Sequence, residues 1–570
     1  MIVRLGFIAI SLLFTVTIMG VHFTEQLYPW MGIFIFFSLS IIIFLSRSLQ
    51  PVVGVSTVII VALSHRLVSF YHPATLSGQD PDKIAAAVNR IIHTGKLSSI
   101  EGLNFYSGAP LYFLNSVGIS HFMGLEAQYS AVAYVLIVTI ITPLAVAVLV
   151  QSLSWLPDSA VTIAASISVV STASSIDSLW PIPQQHAVVL FFITCVLLLI
   201  YHRFDANDKT IPILLILSLA SIVASHKIGG LYTLAALLGV LVIGLVNEKE
   251  YISKYRMRKH QSQNTAPLLI LTILSTIFLL IVWTYTTTQI RPVATLFLQT
   301  IIHNPGPVSG AVLDSTAAEP TTSGISGIII RQGHWLIYLP FVSIGWVILW
   351  RMDKSPVLAG IAAAVGSLFI ITFIGAVSTR RMLLFAEPIF SILLVVLVFA
   401  GIFSARKGTT TGSILLLFVI IFAQISAPLA TLDHPQESRQ YLTHGEWEGK
   451  KFVADHTSGE VYADYYYARQ NVEYFGEGVS YRPGGADPTP DGFSQLGPDI
   501  LAGDTHEQGY PNVLIRTNVD TVMFGGHWNL EWNPSQEFDN STDYSKVVDN
   551  GEVSLYHKSN DSSARIRNGL

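Results

Sequence analysis

The chain has 570 residues, of which 51% are hydrophobic and only 12% charged, against about 25% charged in ordinary globular chains. Its net charge of −5 divides unevenly: residues 1–432 hold 22 Lys and Arg against 15 Asp and Glu, and residues 433–570 hold 10 against 22. These figures exclude a soluble enzyme, a nucleic-acid binder and a secreted disulfide scaffold, and leave a basic polytopic membrane part joined to an acidic polar tail. The single cysteine, Cys195, lies in an apolar run, so it supplies neither an intramolecular disulfide nor a thiolate metal cage.

A bilayer core takes roughly 17–25 apolar residues per helix, and by that measure about thirteen spans are expected. They run over 5–22, 30–46, 52–69, 127–150, 159–175, 183–201, 211–225, 228–246, 267–287, 335–350, 356–376, 383–403 and 412–430. The first resembles the apolar part of a signal peptide but lacks a small-residue cleavage site, so it is read as a retained helix. Arg47, the pair Arg203 and Lys209, the cluster Lys249 to Lys259, the pair Arg351 and Lys354, and the pair Arg406 and Lys407 all fall on one side if the N-terminus is inside. That side is cytoplasmic by the positive-inside rule. An odd number of spans then puts the tail, residues 433–570, outside. Charged residues otherwise keep to the ends of the spans, which argues against a transporter, where ionisable groups and broken helices sit near the midplane.

Three long segments lie on the outer side: 70–126, 288–334 and the tail. In the first, Pro81 to Thr94 predicts an amphipathic helix with Ile84, Ala87, Val88 and Ile91 or Ile92 on one face, and 110–124 predicts a second, interfacial piece. The tail predicts a small α/β or mostly β domain, with strand-like runs at Lys451–Val453 and Asn512–Ile515. Asn550-Gly551 signals a hairpin through a type I′ turn. Asn540-Ser541-Thr542 and Asn560-Asp561-Ser562 are glycosylation sequons, usable only if the tail is outside.

Candidate chemistry gathers at the outer boundary. In Ser77-Gly78-Gln79-Asp80-Pro81-Asp82-Lys83, Pro81 fits the first helical position, making Asp80 an N-cap and Asp82 a first-turn acid. A carboxylate held there can also accept a proton from a sugar hydroxyl or hold a divalent cation. Arg380 and Arg381 join spans eleven and twelve, His226 and Lys227 lie between spans seven and eight, and Arg331 precedes the tenth. Basic residues in short outer loops run against the positive-inside rule, and they suit phosphate, although snorkelling to headgroups would also place them there. His186, His303 and His334 lie near the same face without metal-ligand spacing. No P-loop, GxGxxG, HExxH or zinc pattern is present, so energy and substrate must arrive outside the cytoplasm in another form.

The layout resembles the GT-C superfamily of integral-membrane glycosyltransferases, which take sugars from polyprenyl phosphate or diphosphate carriers. Four stretches carry the resemblance. They are Gln79-Asp80-Pro81-Asp82, Phe105-Tyr106-Ser107-Gly108-Ala109-Pro110-Leu111-Tyr112, Ala224-Ser225-His226-Lys227, and the run Thr379-Arg380-Arg381-Met382-Leu383-Leu384-Phe385-Ala386-Glu387-Pro388. The third, with the closing hairpin Asp549 to Val553 and the acidic tail, is similar to archaeal members. Within the superfamily, oligosaccharyltransferases carry a WWDYG-type peptide-binding motif at the start of the outer domain. The nearest stretch here, Glu446-Trp447-Glu448-Gly449-Lys450, lacks the double Trp and the Tyr. The branch similar to dolichyl-phosphate-mannose mannosyltransferases is therefore favoured.

That resemblance implies inverting sugar transfer to a lipid-linked glycan or glycoprotein acceptor, with Asp80, then Asp82, as the base. It assigns the departing phosphate to Arg381, Arg380, Lys227, His226 and Arg331, and places Tyr106 and Tyr112 on the acceptor side or in the loop. The bundle would hold the polyprenyl chain and 288–334 would close over the donor. No cofactor is needed on that branch. On the diphosphate branch Asp80 and Asp82 would instead ligate Mg²⁺ or Mn²⁺.

Overall fold

The computed structural model describes residues 2–24, 27–74, 76, 81–100, 109–170, 180–203, 210–254, 265–285, 339–352, 355–374 and 379–401 of the membrane part. In the tail it describes 441–456, 461–463, 467, 493–495, 511–517, 522–524, 527–529 and 538–558. The membrane part is helical: α1 (Ile2–Thr24), α2 (Leu27–Leu45), α3 (Pro51–Tyr71), α4 (Pro81–Thr94), α5 (Pro110–Met123), α6 (Ala127–Gln151) and α7 (Asp158–Val170) come first. They are followed by α8 (Pro183–Arg203), α9 (Thr210–Val223), α10 (Lys227–Lys254), α11 (Thr265–Tyr285), α12 (Leu339–Arg351), α13 (Pro356–Ile374) and α14 (Thr379–Val396).

Among the described residues, seven helices are long and apolar enough to cross a membrane, and five shorter apolar helices accompany them. Twelve of the thirteen expected spans thus coincide with apolar helices, and the thirteenth, 412–430, lies outside the described residues. Apolar side chains such as Leu12, Ile60, Leu217, Val242 and Ile270 are exposed on these helices, a surface that suits lipid and not water. α14 is apolar nearly all round from Met382, and it is buried nearly throughout, as such a helix must be. α10 and α13 touch backbone to backbone at Gly239 and Gly360, where a methyl on either residue would run into the other helix's main chain.

The end of α10 differs from expectation. α10 continues to Lys254, past the expected end at 246, because Glu and Lys are good helix formers after the apolar run stops. α4 spans Pro81–Thr94, as expected, and ends there because Gly95 takes a φ of +66° and its N–H caps Ile91 O at 2.8 Å. The buried face of α4 is the expected one, Ile84, Ala87, Val88 and Ile91, and it packs against Tyr112, Phe113 and Tyr134 of α5 and α6. Charged groups also occur inside the bundle, contrary to expectation. Arg66 of α3 and Glu387 of α14 are both buried within their helices.

The tail forms a mixed five-stranded sheet in the order β2-β1-β3-β7-β6, built from β1 (Val461–Ala463), β2 (Phe493–Gln495), β3 (Asn512–Arg516), β6 (Tyr544–Asp549) and β7 (Val553–Lys558). β4 (Val522–Phe524) and β5 (His527–Asn529) form a separate hairpin. β3 is the central strand, buried along its length, parallel to β1 and antiparallel to β7. Asn512–Ile515 is thus a strand, as its residues suggest.

Lys451–Val453 is not a strand: it lies in α15 (His444–His456). The reason is a capping box. Thr443 N–H donates to Glu446 Oε2 at 3.0 Å, and Glu446 N–H donates to Thr443 Oγ1 at 3.2 Å. That box starts a helix whose Trp447 and Val453 face the sheet. The Asn-Gly hairpin exists, but its two-residue loop is Gly551-Glu552 and not Asn550-Gly551, because Asp549 pairs with Ser554 and Asn550 N–H donates to Val553 O at 3.2 Å. Gly551 takes the positive φ of +85°, while Asn550 acts through its carboxamide oxygen, accepting from Glu552 N and Val553 N at 3.0 and 2.9 Å.

The sheet domain docks on the ends of α1, α2 and α3. Tyr441 is buried among Val21, Leu27 and Met31, with its ring edge-on to His72, and Ala74 N–H donates to Leu442 O at 3.0 Å. That contact defines one rim of the bundle, the sheet side.

Candidate functional site

Several elements converge on the sheet side. α5 is tied to the turn between α9 and α10 by Leu111 N–H donating to Ala224 O at 3.4 Å. His186, four residues into α8, links the same parts. Its Nδ1 lies 2.9 Å from Ser225 Oγ, and Ser225 gives its own proton to Ser221 O at 2.6 Å. Asn115 Nδ2 lies 3.3 Å from His186 Nε2. A hydroxyl already donating elsewhere must accept from Nδ1, and an amide nitrogen must donate to Nε2, so His186 carries its proton on Nδ1. Gly229 permits the packing beneath this chain, since a Cβ there would stand 2.6 Å from Ala187 Cβ.

This chain sets the place of His226 and Lys227. His226 precedes α10 and accepts from Gly230 N–H at 3.1 Å, and Lys227 is the first residue of α10, partly exposed. α14 starts at the same level. Phe385 stacks on Tyr232 of α10 with ring centroids 4.9 Å apart and 12° between planes, and meets Phe191 of α8 edge-on at 5.5 Å. Arg381 precedes Phe385 by four residues and Lys227 precedes Tyr232 by five, which is about 6 and 7.5 Å of helix rise. The first turns of α10 and α14, with Lys227, Arg380 and Arg381 in them, are therefore neighbours on one rim. A cation in the first turn of a helix is disfavoured by the backbone dipole, whereas an anion is favoured there. Two such helix starts side by side form a place for a doubly satisfied anion.

Asp82 is the second residue of α4, whose helix lies over α6 and α5 at the same rim. Asp80, Tyr106 and Arg331 lie outside the described residues, as do His303, His334, the 288–334 segment and the sequon at Asn560. Tyr112 does not face an open site. It is fully buried, donates to Pro181 O at 3.2 Å and packs edge-on to Phe113, and burial pushes its phenol well above the usual range. It holds α5 to the start of α8. His186, Ser225 and Asn115 do the positioning. In the sequence, His186 stood out only as a histidine near this face, and Ser225 only through its place in the Ser225-His226-Lys227 run.

No protein-family model matches the chain, and no curated protein matches it. Among solved structures it is similar to the apo state of ArnT from Cupriavidus metallidurans, with 11% identity over 89% of this chain and 97% of that one, at a TM-score of 0.46. It is also similar to the oligosaccharyltransferase of Archaeoglobus fulgidus in its apo form, with 11% identity, 83% and 70% coverage and a TM-score of 0.48. A third is the arabinofuranosyltransferase AftD from Mycobacteria, with 13% identity, 88% and 40% coverage and a TM-score of 0.43. Each is a likeness of chain path. Substrate and chemistry have to come from this chain's own residues.

Proposed function

We propose that the protein is a membrane glycosyltransferase of GT-C type, moving a sugar from a polyprenyl-phosphate donor to an acceptor hydroxyl at the sheet side, which faces out of the cytoplasm. The observation that carries this reading is the pairing of the cation-bearing starts of α10 and α14 on the rim that also holds the start of α4. Asp80, with Asp82 second in line, accepts the acceptor's proton. The acceptor oxygen bonds to the anomeric carbon while the bond from that carbon to the phosphate oxygen breaks, with inversion. Arg381, Arg380, Lys227, His226 and Arg331 neutralise the leaving phosphate, the kind of preorganised electrostatic term that often dominates. The acceptor is a lipid-linked glycan or a glycoprotein, and a dolichyl-phosphate-mannose-like donor is the favoured choice.

The peptide-acceptor, oligosaccharyltransferase-like alternative is less well supported. Glu446, Trp447 and Lys450, at the position of its peptide motif, are turned into the domain's own interior, where Arg516 lies 3.8 Å from Glu446. On that alternative Asp80 and Asp82 would hold Mg²⁺ or Mn²⁺ through carboxylate oxygens. A transporter is the second reading, favoured by the buried Arg66.

The test is sugar transfer from polyprenyl-phosphate sugars in membranes carrying Asp80→Ala. Loss of transfer by at least about a hundredfold is expected for a general base. Unchanged transfer by an inserted variant removes the assignment. Retained activity in EDTA selects the metal-free branch.

A further inference from the structure

The chain contains two Asn-x-Ser/Thr sequons, Asn540-Ser541-Thr542 and Asn560-Asp561-Ser562, and both fall in the tail. Asn533-Pro534-Ser535 is excluded by its central proline. The second sequon lies outside the described residues. The first can be followed residue by residue, and its setting distinguishes a usable acceptor from a chance match.

Residues 539–543 form a short surface loop between two anchored aromatics. Phe538 and Tyr544 are buried and edge-on to each other at 5.0 Å, and Phe538 also meets Tyr556 at 5.2 Å. Between the anchors, Asn540 and Thr542 are exposed. The turn is held by other residues. Ser541 N–H donates to Phe538 O and Asp543 N–H donates to Ser541 Oγ, both at 3.3 Å. Asp539 accepts from Tyr556 OH at 2.8 Å and pairs with Lys546 at 2.8 Å. The Thr542 hydroxyl donates to Asp543 Oδ1 at 3.4 Å in exposed surroundings, a bond too long to hold much. The hydroxyl two residues after the asparagine is nevertheless the group a sequon requires. The fold thus leaves to solvent the two side chains that a glycosylating enzyme reads.

The loop also stands away from the contact with the membrane part. The turn joining β6 to β7 meets the start of α15, where Asn550 Nδ2 donates to Gly445 O at 2.8 Å, close to the Leu442 contact with Ala74. Asn540 precedes the opposite end of β6, and a strand of six residues extends about 17–20 Å. β6 is the edge strand of its sheet, so a bulky group at its entry meets no further strand.

We propose that Asn540 is an N-glycosylation site, modified from a lipid-linked oligosaccharide by a separate oligosaccharyltransferase acting outside the cytoplasm. Asn540 Nδ2 bonds to the anomeric carbon of the glycan, and the bond from that carbon to the carrier's phosphate oxygen breaks. The phosphate leaves with the electron pair, and the amide proton passes to a base of the modifying enzyme. This chain is the substrate of that step, so the inference rests on the outward orientation proposed above and not on sugar transfer by this chain. The glycan is bulky and solubilising, and it shields the entry of an edge strand whose unpaired backbone groups otherwise invite another chain.

The test is mass spectrometry of the full chain, isolated from its native membranes and cut with trypsin. Cleavage after Arg516 and Lys546 gives one peptide, 517–546, whose single sequon is Asn540-Ser541-Thr542. That peptide is expected to carry the added mass of sugar residues on Asn540. Asn540→Gln and Thr542→Ala should each abolish the added mass, and Thr542→Ser should keep it, since a serine hydroxyl serves the same position. Recovery of the peptide at its unmodified mass alone overturns the proposal, and so does added mass that survives Thr542→Ala. Impermeant maleimide on Ser545→Cys, in a Cys195→Ala background in intact cells, tells the grounds of failure apart. Labelling with an unmodified peptide overturns the site alone, and absence of labelling with an unmodified peptide overturns the orientation too. A glycan on Asn540 with no sugar transfer by the chain sustains this proposal and removes the transferase reading.

Discussion

Lys227 and Arg381 stand in first helical turns, where the helix dipole disfavours a cation, and on the outward orientation proposed above the positive-inside rule disfavours one too. Both rules apply to a bare run of residues, so these two positions are legible in the sequence. Each should contribute a charge-assisted bond to the donor phosphate, worth about 1.5–3 kcal/mol, so Arg381→Ala and Lys227→Ala should each lower kcat/KM for the donor by about ten- to a hundredfold. Initial rates against donor concentration, at matched levels of inserted protein, would show it; unchanged rates would return both residues to headgroup contact. The buried Arg66 and the positioning role of His186 are not legible in this way. A lone polar residue in an apolar run has no periodic partner, and its role depends on which helix faces it. Tyr112 makes the same point in reverse, since an aromatic beside a loop motif proved to be part of the packing.

At the scale of elements, periodicity serves well where one face is buried and one is not. α4 is placed at its observed bounds, Pro81–Thr94, with the correct buried face. It fails at α15, where the short run Lys451-Phe452-Val453 has no period of its own and the deciding signal lies upstream at Thr443 and Glu446. That box also meets the far end of the domain, as Thr443 Oγ1 and Glu446 N–H both donate to Glu552 Oε2. Thr443→Ala should therefore cost about 1–2 kcal/mol of the sheet domain's stability, at the upper end for a helix cap. Near-ultraviolet circular dichroism of the full chain on heating would register the earlier loss of Trp447 packing, and an unchanged transition would show that Glu446 alone holds the helix start.

At the scale of the molecule, the sheet domain is joined to the membrane part through Tyr441 and Leu442, at the ends of α1 to α3 and just ahead of the Asp80 loop. Truncating a buried aromatic costs about 3–5 kcal/mol. Tyr441→Ala should release the domain from that rim, and limited proteolysis around residues 433–443 should accelerate; equal cleavage rates would mean that other contacts hold it. The outward orientation can be tested just as directly. Cys195 is the sole cysteine and is buried, so a Cys195→Ala background carrying Ser545→Cys offers a single exposed thiol on β6. A membrane-impermeant maleimide should label it in intact cells, and labelling only after permeabilisation would place the sheet side in the cytoplasm.

Composition alone determined that this is a multi-span membrane protein with an acidic tail, because burying apolar surface in lipid and keeping charge in water are additive over residues and need no partner. The alternation of spans with basic loops likewise determined which helix ends share a face. Only the tertiary structure decided which residues meet. The stacking of Phe385 on Tyr232, the chain from Asn115 through His186 to Ser225, and the burial of Arg66 each depend on contacts between helices distant in sequence. Helix rotation and close approach, as at Gly239 and Gly360, are settled by packing, and packing is a property of pairs of surfaces that no single run of residues encodes.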